Sequence, residues 1–393
     1  MKYVFILIPF LLFSATIYGQ NETSVNDKDQ IKEEKKAKRK AVKAQKVVDG
    51  KSLFTPFAAP AYTPELGGLI SAGALWSFKT KKTDSLIQRS SMPFTIAYTT
   101  TGAVVINTLL TSYWFEDKMR IYADFWYKDM PDHYWGVGYY EGSQTVRSDS
   151  TTSFNRVWWW ANPRIVFQVK DNYFIGTNID YNYTKGSNES IGVANDSIYN
   201  RYNNRPLNSG LGLILRYDSR DVPVDARTGV YLDLRTTFYS DAFGGDNDYQ
   251  IYLLDYRQFK TVKREGMTLA WQAKLRYGVG EVPYGEYSQV GTPFDLRGYQ
   301  WGRFRDQGMF LFMAEYRHTF LKEDGNLGKH GAVAWIGSGT VFNEASLASN
   351  NLHWLPNFGV GYRFEIQPRM NVRMDFGIGR ETSGFYFNFN QAF

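Results

Sequence analysis

Apolar and polar residues alternate with a period of two over most of the chain beyond about residue 60. Between residues 267 and 279, apolar side chains occupy every second position, and Lys274 and Arg276 lie among the residues between them. The stretches 352–366 and 370–381 repeat this pattern. Because successive side chains of a β-strand point to opposite faces, the alternation predicts strands with one apolar and one polar face.

The composition of the two faces distinguishes a soluble β-sandwich from a transmembrane β-barrel. A soluble β-sandwich also alternates, but here Trp, Tyr, Phe and Met collect on one face while Arg, Lys, Asp and Gly collect on the other. A charged side chain facing lipid at mid-depth costs about 2–4 kcal/mol, whereas a polar lumen accommodates it. We therefore predict an all-β fold, an antiparallel transmembrane β-barrel.

Turn signals divide the alternating region into about sixteen strands, an even number as in single-chain bacterial barrels. The predicted first strand, 66–78, is expected to pair with the predicted last strand, 384–393. Two further strands are predicted at 119–128 and 132–141.

The connections between the predicted strands differ in length, as short periplasmic turns and longer outer loops do. Thr99–Gly102 and Gln367–Arg369 are predicted as short turns. Val282–Asp306 is predicted as the longest outer loop of the second half, with five strands after it.

The region before the barrel has two predicted parts. Residues 1–19 combine Lys2 with a short apolar run that ends at Gly19, which is typical of a cleaved secretory signal peptide. Residues 20–58 form a lysine-rich periplasmic tail, helical or disordered, and residues 59–393 form the barrel. Between residues 28 and 51 there are ten basic and four acidic residues, an excess equal to the net charge of +6 of the whole chain. The barrel is therefore neutral, and nucleic acid is not an expected partner.

Candidate catalytic chemistry is sparse. The chain has no cysteine, and none of its four histidines, His133, His318, His330 and His353, has the spacing of a metal ligand to another. The pair Asp132-His133 falls in a predicted periplasmic turn, away from the outer rim where a barrel hydrolase would carry its Ser/His/Asp groups. We expect no enzymatic activity, no metal and no cofactor.

The predicted loop contains the stretch FDLRGYQWGRFRD, residues 294–306, in which arginines and aromatic residues surround two glycines. A phosphate-binding loop would need a strand–loop–helix context that alternating strands do not provide. The loop is either an exposed basic segment or a segment that enters the lumen. Within the lumen, Arg297 would need an acidic partner, and alternation offers Glu315 and Asp375 on the polar face. Gly298 would allow a tight turn, with Phe294 and Tyr299 as apolar contacts.

Four ordered elements resemble the BamA/TamA family of outer-membrane barrels, also called the bacterial surface antigen family. They are the loop element Leu296-Arg297-Gly298-Tyr299, the stretch Tyr217–Leu234 with Asp218, Arg220, Asp221 and Gly229, the strand Met313–His318, and the hairpin Gly359–Gly379. The resemblance implies that the loop folds into the lumen, that its arginine meets acidic residues of the inner wall, and that the second element is a periplasmic turn.

The C-terminal aromatic residues fit the same resemblance. Phe385, Phe387, Phe389 and Phe393 are predicted to lie on one face of the last strand. A terminal aromatic residue on an amphipathic last strand resembles the signal by which outer-membrane barrels are recognised for insertion.

The resemblance implies a protein of the Gram-negative outer membrane, surrounded by its lipid, with a role in outer-membrane protein or lipid assembly or translocation. Assembly members capture clients with POTRA domains, which the fewer than about forty residues between signal and barrel cannot hold, so this chain resembles a short member without them. A passive pore and a structural barrel or surface antigen remain alternatives. A scaffold is another, in which residues 20–58 contact a periplasmic or outer-membrane protein.

Overall fold

The computed structural model describes residues 49–63, 67–81 and 87–393, and in the preceding segment Glu34, Lys38, Val42, Gln45 and Lys46. Asp49–Phe393 form one compact unit and Met1–Val48 another. The five described positions before residue 49 are helical. The predicted signal peptide and most of the predicted tail lie outside the described residues.

Eighteen strands follow in chain order, and all but two short ones form the barrel. They are β1 (Leu53–Thr63), β2 (Gly67–Phe78), β3 (Ser90–Thr99), β4 (Val104–Trp114), β5 (Met119–His133), β6 (Ser153–Lys170), β7 (Tyr173–Ser187), β8 (Leu207–Asp218), β9 (Gly229–Tyr239), β10 (Tyr249–Thr261), β11 (Met267–Gly280), β12 (Ser288–Gln289), β13 (Arg305–Asp306), β14 (Gly308–Leu321), β15 (Leu327–Phe342), β16 (Leu355–Gln367), β17 (Met370–Ile378) and β18 (Ser383–Phe389). Each barrel strand pairs antiparallel with its neighbours, and β1 closes on β18. The prediction of a sixteen-stranded antiparallel barrel is confirmed.

Short helices lie in the long connections. They are α1 (Tyr139–Gln144), α2 (Ile191–Ala194), α3 (Ser197–Asn203) and α4 (Glu344–Ala348). No helix in the described part of the chain is long and apolar enough to cross a membrane.

The alternation of the sequence reappears as two faces of the wall. On β11, Leu269, Leu275 and Val279 are 37–43% exposed, whereas Ala270 and Gln272 between them are buried. On β16 and β17 the outward residues are again apolar, and the inward residues include buried arginine and aspartate side chains. This arrangement is the one expected when apolar side chains face lipid and charged ones face a lumen.

The predicted start of the barrel is wrong by one strand. The barrel begins with β1 at Leu53, before the predicted boundary at residue 59, and the predicted first strand is the second one. That strand, β2, therefore pairs with β1 and β3 instead of with the last strand. Pro56 and Pro60 weaken the strand pattern of β1 in the sequence, because proline is depleted in strand interiors.

A second difference between prediction and structure explains why the number of barrel strands is still sixteen. The two strands predicted at 119–128 and 132–141 are one continuous strand, β5, followed by α1. Pro131 lies within β5, opposite Asn155 of β6.

The barrel has two ends that differ in their connections. One end, which we call the turn end, carries the connections 115–118, 171–172, 219–228, 262–266, 322–326 and 368–369. The other end, which we call the loop end, carries the connections 134–152, 188–206, 240–248, 281–307 and 343–354. Because β1 precedes β2, the short turn Thr99–Gly102 lies at the loop end, contrary to its predicted side. Asp132 and His133 likewise reach the loop end, at the end of β5.

The last residues of the chain turn into the lumen. Asn390 has a φ of +60°, and after it Ala392 and Phe393 are 5% exposed within the same buried apolar cluster as Leu296. The prediction that Phe393 shares one face with Phe385, Phe387 and Phe389 is therefore wrong, because the strand ends at Phe389.

Candidate functional site

The connection between β11 and β14, residues 281–307, folds into the barrel and carries the small sheet of β12 and β13. Asp295 organises its first bend, since its carboxylate accepts the amides of Gly291 at 2.9 Å and Thr292 at 2.8 Å. Burial raises the pKa of Asp295, and Lys274 and Thr292 oppose that rise. The loop therefore has internal structure before it reaches the wall.

Arg297 lies at the centre of the first contact with the wall. Its Nη1 donates to Asp375 on β17 at 2.5 Å and its Nη2 donates to Glu315 on β14 at 2.9 Å. All three side chains are fully buried. The guanidinium carbon also lies 3.5 Å from the ring centre of Trp335 on β15. The structure thus brings together the arginine and both acidic residues that alternation and the loop position had singled out.

Three more arginines surround these two carboxylates. Arg317 donates to Glu315 at 2.8 Å, Arg363 donates to Asp375 at 2.6 Å, and Arg373 lies 3.3 Å from Asp375. We call these six residues the arginine cluster. Four guanidinium groups share two carboxylates, so the cluster carries surplus positive charge for a buried site, and Arg297 is held by its direct bonds to the two carboxylates and not by the net charge of the wall.

The backbone around Gly298 fastens the loop to the last hairpin of the barrel. The Gly298 amide donates to the Tyr386 hydroxyl on β18 at 3.0 Å, and the Thr382 hydroxyl donates to the Gly298 carbonyl. Tyr299 is buried, and its hydroxyl donates to the carbonyl of Pro356 at 2.7 Å. Phe294, the other predicted apolar contact, lies with its ring 5.1 Å from the Arg373 guanidinium.

Both the backbone conformation at residue 298 and the close approach of the neighbouring backbone require a glycine there. Its φ is +110°, and a Cβ at this position would lie 2.6 Å from the backbone nitrogen of Gly379. Backbone cannot move aside as the end of a side chain does, so the loop must withdraw if the side chain grows.

We expect Gly298→Ala to destabilise the barrel more than Gly325→Ala does. Gly325, in the turn between β14 and β15, also has a positive φ of +77°, but no atom lies within 4 Å of the position that a Cβ would take there. The control thus carries only the conformational cost, about 1–2 kcal/mol, while Gly298→Ala adds the steric conflict. Urea unfolding in detergent measures both, and equal losses would show that the close approach to Gly379 has no energetic weight.

A second contact holds the loop to the other side of the lumen. The Trp301 ring centre lies 3.6 Å from the Lys128 Nζ on β5, and the rings of Trp126 and Trp158 lie 5.5 Å and 5.3 Å from the same atom. We call these four residues the tryptophan cage. In the order of strands around the barrel, β5 is eight positions from β15, which is halfway around. The loop therefore crosses the lumen between two opposed anchors.

The end of the loop contacts other connections at the loop end. Arg303 donates to Glu381 at 2.5 Å and to the Gly142 carbonyl at 2.8 Å. Arg305 donates to the Tyr284 carbonyl at 3.1 Å, and Asp306 accepts from Asn343 at 3.1 Å. Arg303 and Asp306 thus join the loop to other connections at the loop end, whereas Arg305 holds two parts of the loop together.

Three of the predicted periplasmic-turn residues, Asp218, Arg220 and Asp221, form ion pairs at the turn end, and those of Asp218 are buried. Asp218 accepts from Arg120 at 2.5 Å and from Arg220 at 2.8 Å. Asp221 accepts from Arg369 at 2.8 Å. Although burial opposes it, the bonds from Arg369 and the Arg227 amide lower the pKa of Asp221 below its ordinary value. Gly229 begins β9 with a φ of +104°, facing the Ser219 carbonyl too closely for a side chain.

The turn 219–228 also contacts the inner wall of the barrel and the last residues of the chain at the turn end. The Arg317 side chain donates to the carbonyls of Ala226, at 3.4 Å, and Phe393, at 2.8 Å. Gln391 donates to Asp225 at 2.8 Å and accepts from Arg363 at the same distance. The turn and the last residues of the chain are thus linked to the arginine cluster.

The seam between β1 and β18 is the weakest ladder of the barrel. Among the residues that the structure describes, a single register pair, Tyr62 opposite Phe385, joins these strands, whereas eleven pairs join β1 to β2. Aromatic packing supplements it, because the Phe57 ring lies 5.8 Å from Phe387 and 4.5 Å from Phe389. Three of the predicted insertion-signal residues, Phe385, Phe387 and Phe389, therefore lie at the seam; their role as a signal stays a prediction.

The tryptophan cage and Tyr386 are not among the functional residues predicted from the sequence. Trp126 and Lys128 lie two residues apart, so the alternation within the predicted strand 119–128 places a tryptophan and a lysine on the same face. No pattern in the sequence pairs them with Trp301.

The histidines contact aromatic or hydroxyl groups. His133 lies 2.8 Å from the Thr152 hydroxyl, and the His353 ring stacks on Tyr139 at 4.2 Å. Within residues 49–63, 67–81 and 87–393, no three acidic or histidine side chains gather in a way that would hold a metal ion.

Comparison with known proteins identifies a family for the barrel. The profile of the Omp85 superfamily domain matches residues 88–393. A search of curated protein sequences gave no match. Among solved structures, the chain is similar to BamA from Haemophilus ducreyi lacking POTRA domains 1-3, with 14% identity and a TM-score of 0.54 over 86% of this chain and 69% of that one.

Two further structures have the same fold. CdiB from Escherichia coli is 8% identical, with a TM-score of 0.55 over 85% of this chain and 59% of that one. CdiB from Acinetobacter baumannii is 9% identical, with a TM-score of 0.52 over 86% of this chain and 59% of that one.

Proposed function

Because the chain belongs to the Omp85 superfamily, we propose that it assembles or translocates outer-membrane proteins or lipids by opening the seam between β1 and β18. The observation that carries this proposal is the single register pair at the seam. A ladder with so few hydrogen bonds separates at a smaller free-energy cost than the neighbouring ladders.

Two prolines on β1 support the proposal. Pro56 and Pro60 are four residues apart, so their missing amide donors fall on the same edge of the strand. Proline in a sheet belongs on an edge whose amides are not needed, and the other edge of β1 pairs with β2 over its whole length. An incoming strand would therefore find its regular hydrogen-bonding edge on β18, by strand addition.

The loop is positioned to control the seam. It binds Tyr386 on β18 through Gly298 and Asp375 on β17 through Arg297. Withdrawal of the loop would remove these contacts and leave the last hairpin held by its ladder to β16 and by the weak seam with β1. We assign the loop the role of keeping the seam closed until a client arrives.

A reversible cross-link across the seam tests this function. The chain has no cysteine, so Tyr62→Cys with Phe385→Cys introduces the only thiols. We expect the oxidised pair to abolish complementation of a strain that lacks the protein, scored by its outer-membrane protein and lipid composition, and reduction to restore it.

The matched control is Ala58→Cys with Ala72→Cys, which joins β1 to β2 inside a complete ladder. This cross-link should leave complementation unchanged. A passive pore or structural barrel needs no open seam, so full activity of the oxidised seam pair would contradict the proposed mechanism and favour those alternatives.

The remaining assignments rest on the family. We propose that the loop end faces outward from the outer membrane, that residues 1–19 direct export, and that residues 20–58 bind a periplasmic or outer-membrane partner. We also propose that the barrel acts without catalysis. Deletion of residues 20–58 tests the tail, since unchanged co-purifying proteins would remove that role.

A further inference from the structure

Two cavities lie in the lumen beside the loop. The first has a volume of about 420 Å³ and extends to Pro223, Val224 and the end of the chain; we call it the turn-side cavity. The second, of about 390 Å³, extends to Glu286 and Tyr287 in the loop. Both are bordered by Lys274, so this residue lies where the two spaces meet.

The turn-side cavity has a cationic wall. Its charged lining consists of the cations Arg164, Arg216, Arg235, Arg257 and Lys274 and the acids Asp124, Asp233 and Asp255. The side chains of this lining thus supply five positive and three negative groups, and this surplus of positive side chains favours an anion.

Arginines already occupy all three carboxylates. Asp124 pairs with Arg164 at 2.7 Å, Asp233 pairs with Arg216 and Arg235, each at 2.8 Å, and Asp255 pairs with Arg257 at 2.5 Å. No acidic group of this lining is left to neutralise a further cation.

Lys274 is that further cation. It lies opposite Asp255 in the β10–β11 register, but the Asp255 carboxylate accepts from Arg257 and, at 2.8 Å, from Gln272. Among the described residues, the Lys274 ammonium has no hydrogen bond and no ion pair at contact distance, and the carboxylates of Asp255 and Asp295 attract it only over a longer range. An ammonium group offers three donors, and here they border open space.

Two more donors border the same cavity. Arg216 is 4% exposed, and its Nη1 has no hydrogen-bond partner among the described residues. The Tyr122 hydroxyl is buried and likewise without a partner there. A cavity with surplus positive charge and unused buried donors has the chemistry of an anion site.

We propose that the turn-side cavity binds a small water-soluble anion through its phosphate or carboxylate group, with Lys274 as the principal charge. The volume lies within the range of about 300–1,000 Å³ of small-molecule sites. A lipid headgroup offers the same chemistry, but its acyl chains would need a continuous apolar surface, and polar or charged residues make up more than half of the residues in this lining. This inference does not depend on the seam.

Inorganic phosphate is the probe for the test. Titration calorimetry on the full chain in nonionic detergent should detect saturable binding to the wild-type barrel. We expect Lys274→Gln to weaken the affinity about tenfold, the loss typical of one charge-assisted hydrogen bond. Because Lys274 has no ion pair among the described residues, the variant should keep its fold, which heat-modifiability on a gel checks.

Lys322→Gln is the matched control, since Lys322 is exposed in the turn between β14 and β15. It should bind phosphate like the wild type. Absence of saturable binding to the wild type, or equal affinity in the Lys274 variant, would overturn the site. A second arm adds phosphatidylglycerol vesicles: competition with phosphate at the Lys274 site would overturn the assignment of a soluble ligand.

Discussion

Arg297→Ala is expected to lower the free energy of unfolding of the barrel by about 3 kcal/mol. Removing one partner of a buried ion pair typically costs about 3–5 kcal/mol, because the charge left behind has lost its compensation. Here the loss should fall at the lower end of that range. Arg317, Arg363 and Arg373 remain beside the two carboxylates, so neither Glu315 nor Asp375 becomes an isolated charge.

The same substitution should release the loop from the last hairpin. The Arg297 carbonyl accepts from Asn357 at 3.1 Å, and the next residue binds Tyr386 and Thr382. Without the guanidinium, these backbone bonds hold the loop alone. We therefore expect faster proteolysis within 281–307 in addition to a lower urea midpoint.

Arg297→Lys separates charge from geometry. A lysine keeps the positive charge but is a single point donor without the fork that reaches two carboxylates on different strands. Its loss of stability should lie between those of the wild type and Arg297→Ala. Unchanged unfolding and proteolysis in Arg297→Ala would contradict the anchor, and a lysine variant equal to the wild type would show that charge alone suffices.

The sequence predicted the first anchor because each part of it follows a strong local rule. An arginine that enters a lumen needs carboxylates, and alternation left Glu315 and Asp375 on the inner face of strands whose period was clear. The number of arginines in the cluster was less predictable. Arg317, Arg363 and Arg373 share the inner face with the carboxylates, but their grouping depends on the register between β14, β16 and β17.

The errors arose where a local signal opposed the tertiary context. The strands β1 and β5 both contain proline, which is depleted in strand interiors, although an edge or a position without a required amide accepts it. At the C-terminus, alternation was extended past Phe389, whereas Asn390 adopts a left-handed conformation and directs Phe393 inward. The cage between Trp301 and Lys128 joins residues across the lumen, and no local pattern encodes such a contact.

Trp301→Ala tests the second anchor and should lower the free energy of unfolding by about 2–3 kcal/mol. Truncation of a large aromatic residue in a packed core costs about 3–5 kcal/mol, and Trp301 is only half-buried. The cation–π contact with Lys128, which is 2% exposed, adds up to about 2 kcal/mol in a desolvated site. Trp301→Phe keeps an aromatic face over the ammonium and should recover part of the loss.

The double variant Arg297→Ala with Trp301→Ala determines whether the two anchors act on one unit. If each anchor held only its own surroundings, the losses would add to within about 0.5 kcal/mol, as for distant independent sites. The loop joins both anchors through three intervening residues, so loss of one frees the segment that the other must hold. We therefore expect the double variant to lose at least about 1 kcal/mol less than the sum of the single losses. Additive losses would show that each wall binds its end of the loop independently, and that the loop does not leave the lumen as one body.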